Sequence, residues 1–206
     1  MADGVQMITT SDQYNKVSQD TQSLLAEPLL RADRGGELSD DDKARLSKGI
    51  PIFESLGDFA PTEMTPFFVL SKLYLNLGKP EQAEESARQA IYNGDAQLTA
   101  AKNAKDDKKE AEIAALMNEA HHVRAQALFE LKDYKESIRE VKGVLLSIDP
   151  KNVNQDPNVP RYLVTLARDL IQLNDNANAK AALQDALKRD PGNTQAQSLL
   201  KFLNGV

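Results

Sequence analysis

No cysteine and no tryptophan occur among the 206 residues, histidine occurs twice, and aromatic side chains make up only 5%. Without cysteine there is no disulfide, no thiolate zinc site and no thiol nucleophile. That absence suits either redox compartment and leaves location open. With so few aromatics the core has to be assembled from Ala, Leu, Ile and Val, which favours closely packed helices. No apolar run approaches the ~20 residues that cross a bilayer. The opening Met1-Ala2-Asp3-Gly4-Val5-Gln6 is neither basic nor apolar and reads as no signal peptide. The chain as given reads as cytoplasmic, and as periplasmic or membrane-tethered should a leader or anchor precede it.

Positive charge is also short. The net charge is −6, which a phosphate backbone repels, so nucleic acid is not an expected partner. The densest basic stretch, Lys102, Lys105, Lys108 and Lys109, is interrupted by Asp106, Asp107 and Glu110 and reads as a solvated helix face. His121 and His122 are adjacent, so on a helix they point about 100° apart and do not share a metal. Asp40, Asp41 and Asp42 lack the ligand spacing of a calcium loop. Behind Ser39 they read as a capped helix start whose first turn favours acids. No Ser stands in a Gly-x-Ser-x-Gly elbow, no Gly-rich loop precedes a Lys, and Gly35-Gly36 reads as a turn. Nucleophilic and acid–base catalysis lack their usual parts. No catalytic residue, metal or cofactor is expected, and the chain reads as a non-enzyme.

What is present is a repeated hairpin. Leu163, Leu166, Ala167 and Leu170 fall at i, i+3, i+4 and i+7, one face of a helix that Pro160 opens. Asn174-Asp175-Asn176 breaks it. Ala179, Leu183, Ala186 and Leu187 make a second face, closed by Asp190-Pro191-Gly192. Ala167 and Ala179 stand where the two helices cross, and small side chains there let the backbones approach to roughly 8–10 Å.

Upstream the layout recurs. Phe67, Leu70, Ser71 and Tyr74 form one stripe, Gly78 ends it, and Ala83, Ala87, Ala90 and Ile91 form the next. Thr65-Pro66 and Pro80 read as the two helix starts. A weaker copy runs from Ala125 and Leu128 through Asp133-Tyr134 to Ser137, Val141, Val144, Leu145 and Asp149-Pro150.

On these residues the chain resembles the tetratricopeptide repeat family, whose unit is ~34 residues long. The copy from Leu163 to Pro191 follows the pattern throughout. The first copy departs at Ala87, where a large residue is usual, and at Asp95, where Pro is. The second departs at His121 and Arg124 but keeps the turn Leu131-Lys132-Asp133-Tyr134 and the ending Ile148-Asp149-Pro150. Ser71 and Ala125 are 54 residues apart, Ala125 and Ala167 are 42; against the ~34-residue period these steps leave insertions of about 20 and about 8 residues. The first falls near 93–112, where Ala-Lys-Glu composition predicts lengthened helices. The second is the polar loop 151–159.

The resemblance implies an all-α chain, a right-handed superhelix (α-solenoid) of about three hairpins. The expected organisation is a disordered tail over 1–11 and a single helical domain over 12–206. Within it lie a degenerate hairpin at 12–60, repeat 1 at 64–95, an insertion at 96–112, repeat 2 at 113–150, repeat 3 at 160–191 and a capping helix at 194–203. In the degenerate hairpin Pro51 is expected to kink or split the second helix.

The first helix of each repeat lines the concave side of such a stack. The residues there that face away from the hairpin partner are Phe68, Lys72, Leu75 and Asn76 in repeat 1, and His122, Gln126 and Phe129 in repeat 2. In repeat 3 they are Arg161, Val164, Arg168, Ile171 and Gln172. Apolar area beside Lys72, Arg161 and Arg168 predicts a groove for a peptide or helical segment with apolar anchors and acidic flanks. The expected function is that of a protein-binding adaptor, assembly factor or scaffold. One alternative is a self-assembling module that forms homo-oligomers. Another reading has the N-terminal hairpin or the insertion near residue 100 filling the groove. Family members that grip chaperone C-termini use a clamp of Lys and Asn. Phe68 and Lys72 stand at the places of one Lys and one Asn, Val123 replaces another Asn, and only Arg161 is compatible, which argues against that partner.

Overall fold

The computed structural model describes residues 8–148 and 156–205. Among them every regular element is an α-helix: α1 Ser11–Asp33, α2 Asp40–Phe59, α3 Met64–Asn76, α4 Pro80–Ala104, α5 Asp107–Glu130, α6 Tyr134–Ser147, α7 Val159–Gln172, α8 Asn176–Arg189 and α9 Thr194–Asn204. The protein carries helical repeats, as expected. Where the sequence predicts one domain, the described residues gather into two compact units, one ending at Val123 and the other beginning at Arg124, each with apolar clusters of its own.

The turns show why these residues make hairpins. After α3, Gly78 takes φ 69°, and the N–H of Lys79 reaches back to the Tyr74 carbonyl at 2.9 Å. After α5, Lys132 takes φ 64° and Asp133 N–H donates to the Leu128 carbonyl at 2.9 Å. After α7, Asn174 takes φ 61° and Asp175 N–H donates to the Leu170 carbonyl at 2.8 Å. This left-handed closure satisfies carbonyls that the ending helix leaves free. In the last two turns the next residue also caps the following helix: Asp133 accepts from Glu136 N–H at 3.2 Å and Asp175 from Asn178 N–H at 3.3 Å. Gly78 and Lys132 are 54 residues apart, Lys132 and Asn174 42, so the turns keep the same register as Ser71, Ala125 and Ala167, all fully buried.

The insertion lengthens helices. α4 has 25 residues and α5 has 24, and Lys105 at φ 55° makes the closure between them.

In the first unit α1 and α2 form the N-terminal hairpin. Ser39 and Asp42 exchange the bonds of a capping box, Ser39 Oγ accepting from Asp42 N–H at 3.1 Å and Asp42 Oδ2 from Ser39 N–H at 3.0 Å. Leu25, Leu46, Phe53, Leu56, Val69, Leu70 and Leu73 make one core; Met64, Ala90, Ala101, Ile113, Met117 and Ala120 make another. Gly49 shows how closely α2 approaches its neighbours: a Cβ there would lie 2.8 Å from Leu25 Cδ1 and 3.2 Å from Leu73 Cδ1. Buried Asn93 ties α4 to the loop before α3, its Nδ2 donating to the carbonyls of Pro61 and Glu63 at 2.9 Å each. In the second unit, the end of α5 with α6, α7 with α8, and α9 close over one core that includes Val141, Tyr162, Leu163, Leu183 and Ala196.

Several expectations need correction. Of the tail 1–11, residues 1–7 lie outside the described ones, but Ile8 is buried and α1 begins at Ser11, because Thr10 caps it by accepting from Gln13 N–H at 3.2 Å. Pro51 does not split α2, which runs unbroken to Phe59. α3 begins at Met64, so Thr65 is a helical residue and not a cap; Glu63 holds the cap position without a side-chain bond. Asp149-Pro150 and the loop as far as Gln155 lie outside the described residues.

Candidate partner-binding surfaces

In the first unit the expected concave residues of α3 are largely spoken for. Lys72 Nζ lies 2.6 Å from Asp33 Oδ2 at the end of α1, and its side chain is only 14% exposed. The same ammonium stands 5.9 Å from the centre of the Phe68 ring. Phe68 packs against both cores of the unit. Asn76 Nδ2 donates to the Lys72 carbonyl at 2.8 Å. The end of α1 therefore meets this face of α3 at Lys72. Leu75 and Asn76 remain half-open. With Gly35, Gly36, Leu38 and Lys43 they line an open cleft of about 440 Å³.

Two expected site residues are core residues. His122 is 2% exposed and Val164 3%. Periodicity marks one buried stripe on each of α5 and α7, but both helices are enclosed on more than one side. Val123, Ala125, Ala127 and Leu128 are buried beside His122, and α7 buries every residue from Val159 to Leu170 except Arg161 and Arg168.

Those two arginines, with Gln126, Phe129, Ile171 and Gln172, form what is left of the predicted surface in the second unit. The Arg168 guanidinium lies 4.1 Å from the centre of the Phe129 ring, bringing α7 and α5 together. Its Nη2 is 3.8 Å from the Glu130 carboxylate, and its side chain is 38% exposed. Phe129 in turn meets Tyr134 edge-on, with centroids 5.4 Å apart. Arg161, two helical turns before Arg168, lies 5.8 Å from the Tyr162 ring centre. Gln126 and Ile171 are half-buried and Gln172 is exposed. Stacking of this kind is worth ~0.5–2 kcal/mol depending on desolvation, whereas an exposed ion pair contributes ~0–1 kcal/mol. The ring therefore fixes the arginine, and Glu130 is its exchangeable partner. Glu130 and Asp33 escaped the sequence reading because both pairs join different helices, where no spacing rule reaches.

Among the described residues no three of His, Asp and Glu converge to hold a metal ion. Nor is any described helix long and apolar enough to cross a membrane. The carboxyl of Asp42, within the acidic run, is held below its ordinary range by the Ser39 backbone N–H first, then by the Ser39 hydroxyl.

Comparison with known proteins adds one match. The family model of the tetratricopeptide repeat fits residues 66–93, which span α3 and the first half of α4, and residues 160–193, which span α7, α8 and the turn after them. No curated protein matches the chain.

Proposed function

We propose, from the premise that this is a tetratricopeptide repeat protein, that the chain is an adaptor or assembly factor whose second unit takes up a segment of a partner protein. Repeats of this family generally mediate contacts between proteins and are not catalytic.

The observation that carries the reading is Arg168, stacked on Phe129 and facing a carboxylate it holds only loosely. Glu130 stands in for the ligand. An acidic side chain of the partner replaces it at the guanidinium while an apolar neighbour settles on the Phe129 ring. Gln126 and Gln172 beside them supply donors and acceptors for the partner's backbone. Arginine and aromatic anchors of this kind carry much of the energy in protein interfaces.

The test uses the full chain. A partner is taken from native lysate and identified by mass spectrometry. It is then purified, and its affinity is measured for wild type, Arg168→Glu, Phe129→Ala and a Lys201→Glu control on α9. Each of the first two variants is expected to weaken binding about tenfold or more, or about 1.4 kcal/mol, with the control unchanged. Wild-type affinity in both variants overturns the reading.

A second reading, self-assembly, is favoured by Phe202, 70% exposed on α9 with half-buried Leu199, Leu200 and Leu203 around it. An uncovered aromatic on a terminal helix is the kind of apolar patch that a second copy covers. Sedimentation equilibrium decides it. An oligomer that Phe202→Ser dissociates supports the reading, and a wild-type monomer at high concentration ends it.

A further inference from the structure

Asp169 is 0% exposed, in the middle of α7. Its Oδ2 lies 2.7 Å from Ser137 Oγ on α6, and the same Ser137 oxygen lies 2.8 Å from the Ala125 carbonyl on α5. Asp169 Oδ1 is buried without a hydrogen-bond partner. One serine hydroxyl thus stands between two oxygens with a single hydrogen to give. If Asp169 is ionised, Ser137 must donate to it. The lone pairs of Ser137 then face those of the Ala125 carbonyl at hydrogen-bond distance, and a charged Oδ1 stays buried with nothing to stabilise it. If Asp169 is protonated, Oδ2 donates to Ser137, Ser137 donates to Ala125, and only a neutral carbonyl-like Oδ1 is left over. Every short contact then has a hydrogen in it.

We propose that Asp169, Ser137 and the Ala125 carbonyl form a proton-held latch that ties α7, α6 and α5 of the second unit while Asp169 is neutral and slackens when it ionises. Several of the charged groups on the helices packed there pair with one another. Arg124 of α5 pairs with Glu140 of α6, Glu136 of α6 with Arg139, and Asp185 of α8 with Arg189; Glu130 of α5 lies near Arg168. Arg168, next in sequence, favours the ionised form but is outweighed: burial raises the carboxyl to about 7, against the opposing pull of the Ser137 bond and of Arg168. The folded state therefore binds this proton more tightly than the unfolded chain does. Its stabilisation is complete below the ordinary carboxylate range and is lost as pH rises through about 7. The latch does not depend on the partner-binding reading, although Phe129 and Arg168 ride on two of the three helices it joins.

The test compares denaturant unfolding of the full-length wild type and Asp169→Asn from pH 5 to pH 8. Asparagine keeps the shape and the donor but cannot ionise, so subtracting the two curves cancels every other titrating group. The wild type is expected to lose stability relative to the variant steadily as pH rises toward about 7 and to run parallel to it above that, and α7 amides are expected to exchange faster at pH 8 than in the variant after correction for intrinsic rates. Should the asparagine variant fail to fold, the carboxyl ¹³C shift of Asp169 in the wild type reads the midpoint directly. Parallel pH curves in wild type and variant, or a carboxyl midpoint in the ordinary range near 4, overturn the proposal.

Discussion

At the scale of single residues, what a side chain meets outweighs its place in the repeat. Gly49 is helical and buried, and the space where its Cβ would go already belongs to Leu25 and Leu73. Gly49→Val is therefore expected to destabilise the chain by about 1–3 kcal/mol through overpacking, despite the better helix propensity of valine; denaturant unfolding at fixed pH measures it, and an unchanged midpoint refutes the close approach. Lys72 teaches the same lesson in charge. Its spacing on α3 marks an outward-facing cation, yet Asp33, from the previous hairpin, already neutralises it. Reversing Lys72 would break an internal contact before it tested any ligand. Arg168 occupies the comparable face of α7 and keeps an exchangeable, half-exposed partner, so it is the better probe of binding.

At the scale of elements, most of the architecture was legible because helix pairing leaves small residues and turn formers at fixed offsets. Ala167, Ala179, Ala125 and Ser71 are all fully buried, as the crossing argument requires, and Gly78, Lys132 and Asn174 mark the turns. The lengthening of α4 and α5 followed from composition, since no Pro stands between Asn93 and Lys105 and Gly94 is carried inside α4. What the pattern could not supply was the number of neighbours around each helix. A stripe at i, i+3, i+4 and i+7 reports one buried face, whereas α7 packs against α6, α8 and α9 and buries Val164 as well. His122 was misplaced for the same reason. The latch residues were missed because Asp169 reads as a surface acid in any periodicity scheme, and only the tertiary meeting of α5, α6 and α7 encloses it. Of the surface predicted in the second unit only Val164 is enclosed, and Gln126, Phe129, Arg161, Arg168, Ile171 and Gln172 stay half-buried or exposed.

For the whole molecule, two buried carboxyls pull the dependence of stability on pH in opposite directions. Asp42, in the first unit, is held below its ordinary range by Ser39; its contribution is present above the unfolded value of about 3.9 and is lost as pH falls through the depressed folded value. Asp169, in the second unit, is raised to about 7 by burial, and its contribution is lost as pH rises toward that value. The net charge of −6 adds to the second trend, since the excess of acids repels itself once all are ionised. Stability is therefore expected to be highest at about pH 4, falling below it as Asp42 is protonated and above it as pH rises toward about 7. The two limbs have separate owners. Asp42→Asn should flatten the acid limb and leave the loss toward pH 8 intact, whereas Asp169→Asn should do the reverse. The double variant should show both changes added together, because the two groups share no hydrogen-bond partner. Guanidinium unfolding at fixed ionic strength across pH 3 to pH 9 separates the cases. A profile that rises steadily to pH 8 in the wild type would mean that Asp169 ionises freely inside the fold, and that the oxygens around Ser137 are arranged for a charge after all.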